Sequence, residues 1–471
     1  MNMPTIGPLT MLVSVIVLAC AAALAAADDS KLEQMALNLA AEPTQMEVTF
    51  ASWTDESSAS CNYGTSRDQL TRSVSASGSK YKLDAYTSPM LFKATLDGLE
   101  VGNKVYYYSC GSEALGYSAV EAFKSHPGVG VEDVTFYIYG DVGQTDNSAD
   151  TMRELVAKER LLGGLSGGVI SAGDLSYANG DEPLWDSFGQ LRQNASASNR
   201  IPTMTTLGNH EWFDDSHYAF TAYLARFDNP PAATTGQREL YYSNDIGLVH
   251  WVMVAGYCTE MRSTSTQPCL AQGSPQMKWL QADLAGVDRS KTPWVVVVFH
   301  QPYMNSNTAH NMAVEGHPMQ KAIEDTLYEY KVDLVFSGHV HAYERSCAVY
   351  QYKCTPGAPT YITIGDGGNL EGLATGWIEP QPEWSNYRLA SYGFGALTAV
   401  DASTLTWRWH QNLDLLPAVA DEFTLTKGAL RGEKPAQVTG VPTFADSPRG
   451  RHAAGLNDER TKAYQATLAR N

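Results

Sequence analysis

Five short blocks carry the side chains with most to offer chemically: Gly140-Asp141-Val142-Gly143, Gly173-Asp174-Leu175-Ser176-Tyr177, Gly208-Asn209-His210-Glu211, His300 behind Val297-Val298-Phe299, and Gly338-His339-Val340-His341. Asp141, Asp174, Tyr177, Asn209, His300, His339 and His341 together form a hard-to-borderline donor set, suited to iron, zinc or manganese and unsuited to copper–thiolate chemistry. One cation cannot use all of them. Two cations sharing one carboxylate can, with positions left open for water and substrate. Each block alone is ordinary turn chemistry. Five in succession are not, because so many polar strand ends stabilise nothing by themselves.

Such residues meet only if the chain delivers them to one edge. Residues 134–139, 169–172, 202–207, 249–254, 294–299, 334–337 and 361–364 are short β-rich runs, and helix-like stretches at 149–162, 184–193, 275–284 and 318–330 alternate with them. This predicts an α/β domain, layered β-sheets flanked by helices, in which ligands bind beyond the carboxyl ends of the strands. Pro275 and Pro318 stand where a first helical turn tolerates proline. The intervals from Asp141 to Asp174 and from Asp174 to Asn209 are 33 and 35 residues, about one βαβ unit each.

Upstream, short strands at 37–39, 46–53, 91–96 and 104–109 show inward alternation at Met46, Val48 and Phe50 and at Val105 and Tyr107. They predict an N-terminal antiparallel β-sandwich. It holds no histidine before His126 and no metal-ligand cluster, so packing or placement is its expected task. The expected division is a signal peptide over 1–27, the sandwich over 28–130, the catalytic domain over 131–427 and a polar, flexible tail over 428–471.

The chain has 471 residues, 33 Lys and Arg against 51 Asp and Glu, and a net charge of −18. That field repels nucleic acid and opposes any anionic substrate, so a phosphate-handling site needs dense local positive charge, which metal ions supply. The apolar run 9–27, ending in Ala25-Ala26-Ala27 before Asp28-Asp29-Ser30, reads as a cleavable secretory signal, with an uncleaved anchor as the competing reading. Secretion is expected, to the exterior or to a vacuolar or lysosomal compartment, with no stable membrane association after cleavage. Removing Cys20 with the signal leaves six cysteines. Cys258 with Cys269 and Cys347 with Cys354 would each staple a short loop, leaving Cys61 for Cys110. Asn194-Ala195-Ser196 is an N-glycosylation sequon.

The blocks, in this order, resemble the metal-binding motifs of the purple acid phosphatases within the metallophosphoesterase superfamily. Residues 361–372 and Glu379-Pro380-Gln381-Pro382 resemble the large, plant-type members, and the sandwich resembles their fibronectin-III-like domain. The resemblance runs from about 31 to 426. It implies that Asp141, Tyr177 and His341 hold Fe(III), that Asn209, His300 and His339 hold a divalent partner (Zn, Fe or Mn), and that Asp174 bridges them. The Tyr177 phenolate would give the protein its colour. It implies an acid phosphatase in which hydroxide carried by the metals attacks phosphate monoesters of small molecules, while His210 and His310 contact the phosphate and protonate the leaving group.

The sequence departs from the plant pattern at Ala309-His310, where two adjacent histidines are common, and the stretch before Glu315-Gly316 is longer than usual. The departure falls on leaving-group protonation and on Glu315. Two other readings stay open: a phosphodiester or nucleotide hydrolase on the same metals, and a non-catalytic secreted binding module. The glycine-rich run 365–368 lacks a Walker-type Gly-Lys-Ser/Thr and reads as a structural loop. A homodimer is compatible with all of these readings.

Overall fold

The computed structural model describes residues 31–162, 165–212, 220–227, 229, 240–258, 268–310, 315–412 and 418–427. The apolar leader and the polar tail lie outside the described residues.

The N-terminal unit is a β-sandwich. Leu32–Leu39, Met46–Ser52 and Met90–Leu96 pair antiparallel, as do Glu121–Lys124, Val105–Ser112, Ser58–Gly64 and Arg72–Ser79, and Arg72–Ser79 joins the two groups by also pairing with Met90–Leu96. Alternation places Met46, Val48, Phe50, Phe92 and Leu96 in the core, where Phe50 stacks on Phe92 at 4.8 Å. Cys61 and Cys110 sit opposite one another on paired strands and are joined by a disulfide. Disulfides Cys258–Cys269 and Cys347–Cys354 close short loops, completing the pairing expected from spacing.

The α/β domain has two facing sheets. In the first, Thr203–Thr205, Leu165–Ser171 and Val134–Tyr139 run parallel, and Gly393–Ala399, Thr404–Gln411 and Ala418–Thr426 extend it antiparallel. The second has Val249–Met253, Trp294–Val298, Leu334–Ser337 and Thr360–Ile364 in parallel, edged by Tyr242–Ile246 and Tyr343–Tyr350. Phe136 meets Trp251 at 4.9 Å, and Phe336 meets Trp407 at 4.9 Å, so aromatic rings fill the space between the sheets. Gly395 lets this happen. A Cβ there would lie 1.7 Å from the Trp407 ring.

Two features were not read from the sequence. The three strands over residues 393–426 belong to the catalytic sheet, and that sheet continues into the sandwich, because Leu32–Leu39 pairs in parallel with Thr203–Thr205 through Asn38 and Thr203. The helices fall close to expectation. Asp146–Leu162 starts three residues early because Thr145 and Ser148 cap each other, the Thr145 amide donating to Ser148 Oγ at 2.8 Å and the Ser148 amide to Thr145 Oγ1 at 3.2 Å. Ser274 caps Pro275–Gly286 by accepting from the Met277 amide. Pro318 lies in the first turn of Gly316–Glu329.

His250 pins the second sheet to this helical layer. Its Nδ1 lies 2.6 Å from Asp245 Oδ1 and its Nε2 lies 2.9 Å from Asp283 Oδ2. Burial opposes the imidazolium, but both carboxylates outweigh it and push the pKa up to about 9. A pKa raised above its unfolded value contributes stability in full below about 6.5, and that stability is lost as pH rises through about 9. His250→Gln is expected to cost about 2–3 kcal/mol at pH 6, discounted for the partial exposure of Asp245, and far less at pH 10. Urea midpoints of both proteins at the two pH values check this.

Candidate metal centre

The candidate residues sit at the carboxyl ends of the strands in backbone conformations that side-chain-bearing residues seldom adopt. Asp141, Asp174, Tyr177 and His339 all have positive φ, at 53°, 50°, 55° and 69°. Such strain costs on the order of 1 kcal/mol or more per residue and persists where surrounding bonds over-determine it. Here they do. The His339 amide lies within bonding distance of both Asp141 carboxylate oxygens, at 2.9 and 2.8 Å, and the Asp141 amide donates to Gly173 O at 3.0 Å. The glycine that precedes a ligand also has a steric reason. A Cβ at Gly208 would lie 2.1 Å from Asp174 Oδ1, and one at Gly338 would lie 2.2 Å from Asp141 Oδ2.

Two groups of donors result. In the first, Tyr177 OH is 3.3 Å from Asp141 Oδ1 and 3.1 Å from His341 Nε2, and His341 Nε2 is 3.5 Å from Asp141 Oδ1. Those edges suit a cation held at about 2.0–2.2 Å from each donor. In the second, ligand atoms of Asp174, His300 and His339 lie within 4.8 Å of one another, all buried. His300 Nε2 is 2.9 Å from Asp174 Oδ2. Asn209 opens the four-residue helix Asn209–Trp212; its Oδ1 is 3.5 Å from Tyr257 OH, and the amide of the next residue, His210, donates to Asp174 Oδ1 at 2.9 Å.

The tautomers decide whether this set fits metal ions. His300 Nδ1–H donates to Ala172 O at 2.8 Å and His341 Nδ1–H donates to Gly372 O at 3.0 Å, so each ring presents its Nε2 lone pair to the carboxylates. His300 Nε2 is fully buried and, among the described residues, has no aligned hydrogen-bond partner despite its nearness to Asp174. A lone pair aimed at a carboxylate needs a proton or a cation between them. Burial opposes the His300 imidazolium, but Asp174 and Asp141 hold its pKa up at about 10. His339, by contrast, is pushed down to about 3 by burial and by His300. Burial, with Asp141 and Asp174, drives the Tyr177 phenol well above its ordinary value. A strongly polarising cation is what would ionise that hydroxyl. The donor set fits.

Several supporting residues escaped sequence reasoning. Glu211 accepts from the amides of Asp174 (2.9 Å), Leu175 (2.8 Å) and Gly208 (2.8 Å), and so fixes two of the loops. Burial and Asp174 raise its pKa to about 8. Asn179 Oδ1 sits 2.5 Å from His210 Nδ1, leaving Nε2 to face Glu371 Oε1 at 3.6 Å and Asp174 Oδ2 at 3.8 Å. The only hint in the sequence was that Glu211 and Asn179 lie in or beside the blocks. His310 stacks on His339 with ring centroids 3.8 Å apart, and Glu315 Oε2 lies 2.6 Å from His339 Nε2 and 3.5 Å from His310 Nδ1. Ala309 is exposed, its amide donating to Asn307 Oδ1 at 2.8 Å.

Comparison with known proteins gives this geometry a family. Residues 32–125 match the purple acid phosphatase N-terminal domain, 134–343 the calcineurin-like phosphoesterases, and 358–422 the iron/zinc purple acid phosphatase-like protein C domain. Purple acid phosphatase 22 of Arabidopsis thaliana is 39% identical over 396 residues, covering 83% of this chain and 85% of that protein; purple acid phosphatase 21 of the same plant is 37% identical over 395 residues, covering 83% and 84%.

The chain belongs to the purple acid phosphatase family.

As a purple acid phosphatase it is a phosphatase that hydrolyses phosphate esters, in a family of metallophosphoesterases with a paired-metal centre. Phosphoenolpyruvate phosphatase of Allium cepa is 36% identical over 388 residues, covering 78% of this chain and 76% of that protein. The fold also matches purple acid phosphatase PPD1 of yellow lupin (Lupinus luteus) seeds, with a TM-score of 0.71 at 23% identity, over 88% of this purple acid phosphatase and 78% of the lupin chain. Among the described residues no helix is long and apolar enough to cross a membrane.

Proposed function

We propose that this protein is a secreted acid phosphatase acting on phosphate monoesters of small molecules, with Fe(III) held by Asp141, Tyr177 and His341, a divalent ion (Zn, Fe or Mn) held by Asn209, His300 and His339, and Asp174 shared between them. The observation that carries the reading is the inward-facing His300 Nε2 lone pair, 2.9 Å from Asp174 Oδ2 and without an aligned partner among the described residues. Bound there, the two cations would neutralise phosphate charge and lower the pKa of a bound water. The chain's own residues do the rest. Glu211 holds the Asp174 and Gly208 loops at fixed separation. His210, its Nδ1–H engaged by Asn179, turns Nε2 toward Asp174 and Glu371 and is placed to give a proton to the departing oxygen. His310, packed on His339, is placed to contact a phosphate oxygen.

The proposal includes signal cleavage after Ala27, domains divided near residue 130, and glycosylation at the exposed Asn194. Metal analysis with a visible spectrum tests the core of it. Wild type is expected to carry iron and a charge-transfer band that Tyr177→Phe loses; an unchanged band in the mutant removes Tyr177 from the metal. Alongside, p-nitrophenyl phosphate is expected to turn over faster than its bis-ester, and the reverse order would favour the phosphodiesterase reading.

A further inference from the structure

A cleft of about 430 Å³ opens beside His210, and its walls come from both domains. The sandwich supplies Asp84 and Tyr86, and the catalytic domain supplies Asp181, Glu182 and Trp185. The sandwich wall is a small hairpin, Lys82–Leu83 paired with Tyr86–Thr87, with Asp84 in its turn at φ 48°. It is fastened to the catalytic domain. Tyr86 OH donates to Asp186 Oδ2 at 2.7 Å and Tyr81 OH donates to Glu182 Oε2 at 2.6 Å. Arg226, its side chain 7% exposed, pairs with Asp186 at 2.7 Å and donates to both tyrosine hydroxyls. A hairpin held by a buried ion pair and two phenols is a fixed surface, unlike a loop that drifts over the site.

We infer that this hairpin forms one wall of the leaving-group half of the substrate site, and that the cleft favours phosphate monoesters whose alcohol carries an ammonium or no charge over those whose alcohol carries further anionic groups. The inference rests on the phosphatase reading and deepens it. His210 lies 3.8 Å from Asp174 at the metal centre and also lines this cleft, so the alcohol of a phosphate held at that centre is assigned to the cleft. Apart from His210, the described lining holds no basic side chain, while Asp84, Asp181 and Glu182 are acidic and Tyr86 and Trp185 give it aromatic faces. Asp84 and Asp181 are exposed and Glu182 is half-buried, so these carboxylates act together on a nearby ligand charge through salt-screened solvent, and an ammonium gains from an aromatic face as well.

The experiment compares kcat/KM for O-phosphoethanolamine and 3-phosphoglycerate in the metal-loaded, full-length enzyme. Wild type is expected to prefer phosphoethanolamine by about tenfold at low ionic strength, narrowing as salt is added. In the Asp84→Asn/Asp181→Asn double variant the preference is expected to fall by at least about threefold, mainly through KM. Asparagine tolerates the left-handed backbone at position 84, so the hairpin keeps its shape. Tyr86→Phe, which removes one of the hairpin's two phenol fastenings, is expected to weaken the preference as well. Asp68→Asn, at an exposed turn of the same domain outside the cleft, is the control and should leave the ratio as it is. Equal ratios in wild type and double variant overturn the inference while leaving the phosphatase reading intact. Failure of the wild type to hydrolyse p-nitrophenyl phosphate overturns both.

Discussion

Asp174→Asn is expected to lower kcat/KM for phosphate monoesters by about a thousandfold or more, equivalent to roughly 4 kcal/mol of transition-state stabilisation. The reason is positional. Asp174 Oδ2 is 2.9 Å from His300 Nε2, and Oδ1 accepts the amide that follows Asn209, so this carboxylate touches the second donor group from two sides; His300 itself reaches toward Asp141 of the first at 3.9 Å. The two imidazoles of His300 and His210 hold the Asp174 carboxyl below its usual range in spite of burial. An amide there keeps the shape and removes the charge that two cations would share. Metal content is therefore expected to fall along with activity. Glu211→Gln separates this from loop disorder, because the Glu211 carboxylate is committed to three amides beside the site: about a tenfold to hundredfold loss is expected. Kinetics with elemental analysis of both variants decide it. An Asp174→Asn protein with full metal content and near-normal turnover would remove the shared-carboxylate role.

How much of this was legible beforehand follows from how local each signal was. The five blocks were readable because the same local need recurs: a strand must end, a glycine must leave room for a neighbouring carboxylate, as at Gly208 and Gly338, and a polar residue must then turn inward. Disulfide pairing was readable because two loops are short and one pair remained. The positive φ value of Tyr177 carries no local signature, since tyrosine does not favour that conformation. Glu211, Asn179 and Tyr257 were missed for a different reason: two of the three amides that Glu211 accepts, and the partner of Asn179, lie more than thirty residues away, and that of Tyr257 lies forty-eight away. The strands over 393–426 were missed although Trp407 and Trp409 are buried, because helices no longer alternate with strands there. The join of Asn38 to Thr203, and the hairpin that places Tyr86 beside the cleft, depend on how two domains dock.

Within the α/β domain the packing of one sheet on the other is tied by a buried charge pair, and removing it is expected to be the costliest single change to stability. Arg345 Nε and Nη2 grip Asp421 at 2.6 and 2.8 Å, Tyr343 OH donates to Asp421 Oδ2 at 2.7 Å, and Trp407 Nε1 donates to Tyr343 OH at 2.8 Å. Arg345 is 3% exposed and Asp421 5%. Both sheets contribute: Tyr343 and Arg345 belong to Tyr343–Tyr350, and Asp421 belongs to Ala418–Thr426. Asp421→Ala leaves a guanidinium buried without its partner and is expected to destabilise by about 3–5 kcal/mol, whereas Arg345→Met with Asp421→Leu, which removes both charges and keeps volume, is expected to recover most of that loss. Urea midpoints of the two variants measure the difference. The consequence reaches the active site, because Tyr343 follows His341 by two residues and the strand they enter is the one this pair anchors. Asp421→Ala is thus expected to loosen metal retention before the protein unfolds, detectable as faster loss of the visible band on dialysis against chelator. Retention matching wild type, with the stability loss confirmed, would mean that the His339–His341 turn is held by its own bonds to Asp141 and Gly372 alone.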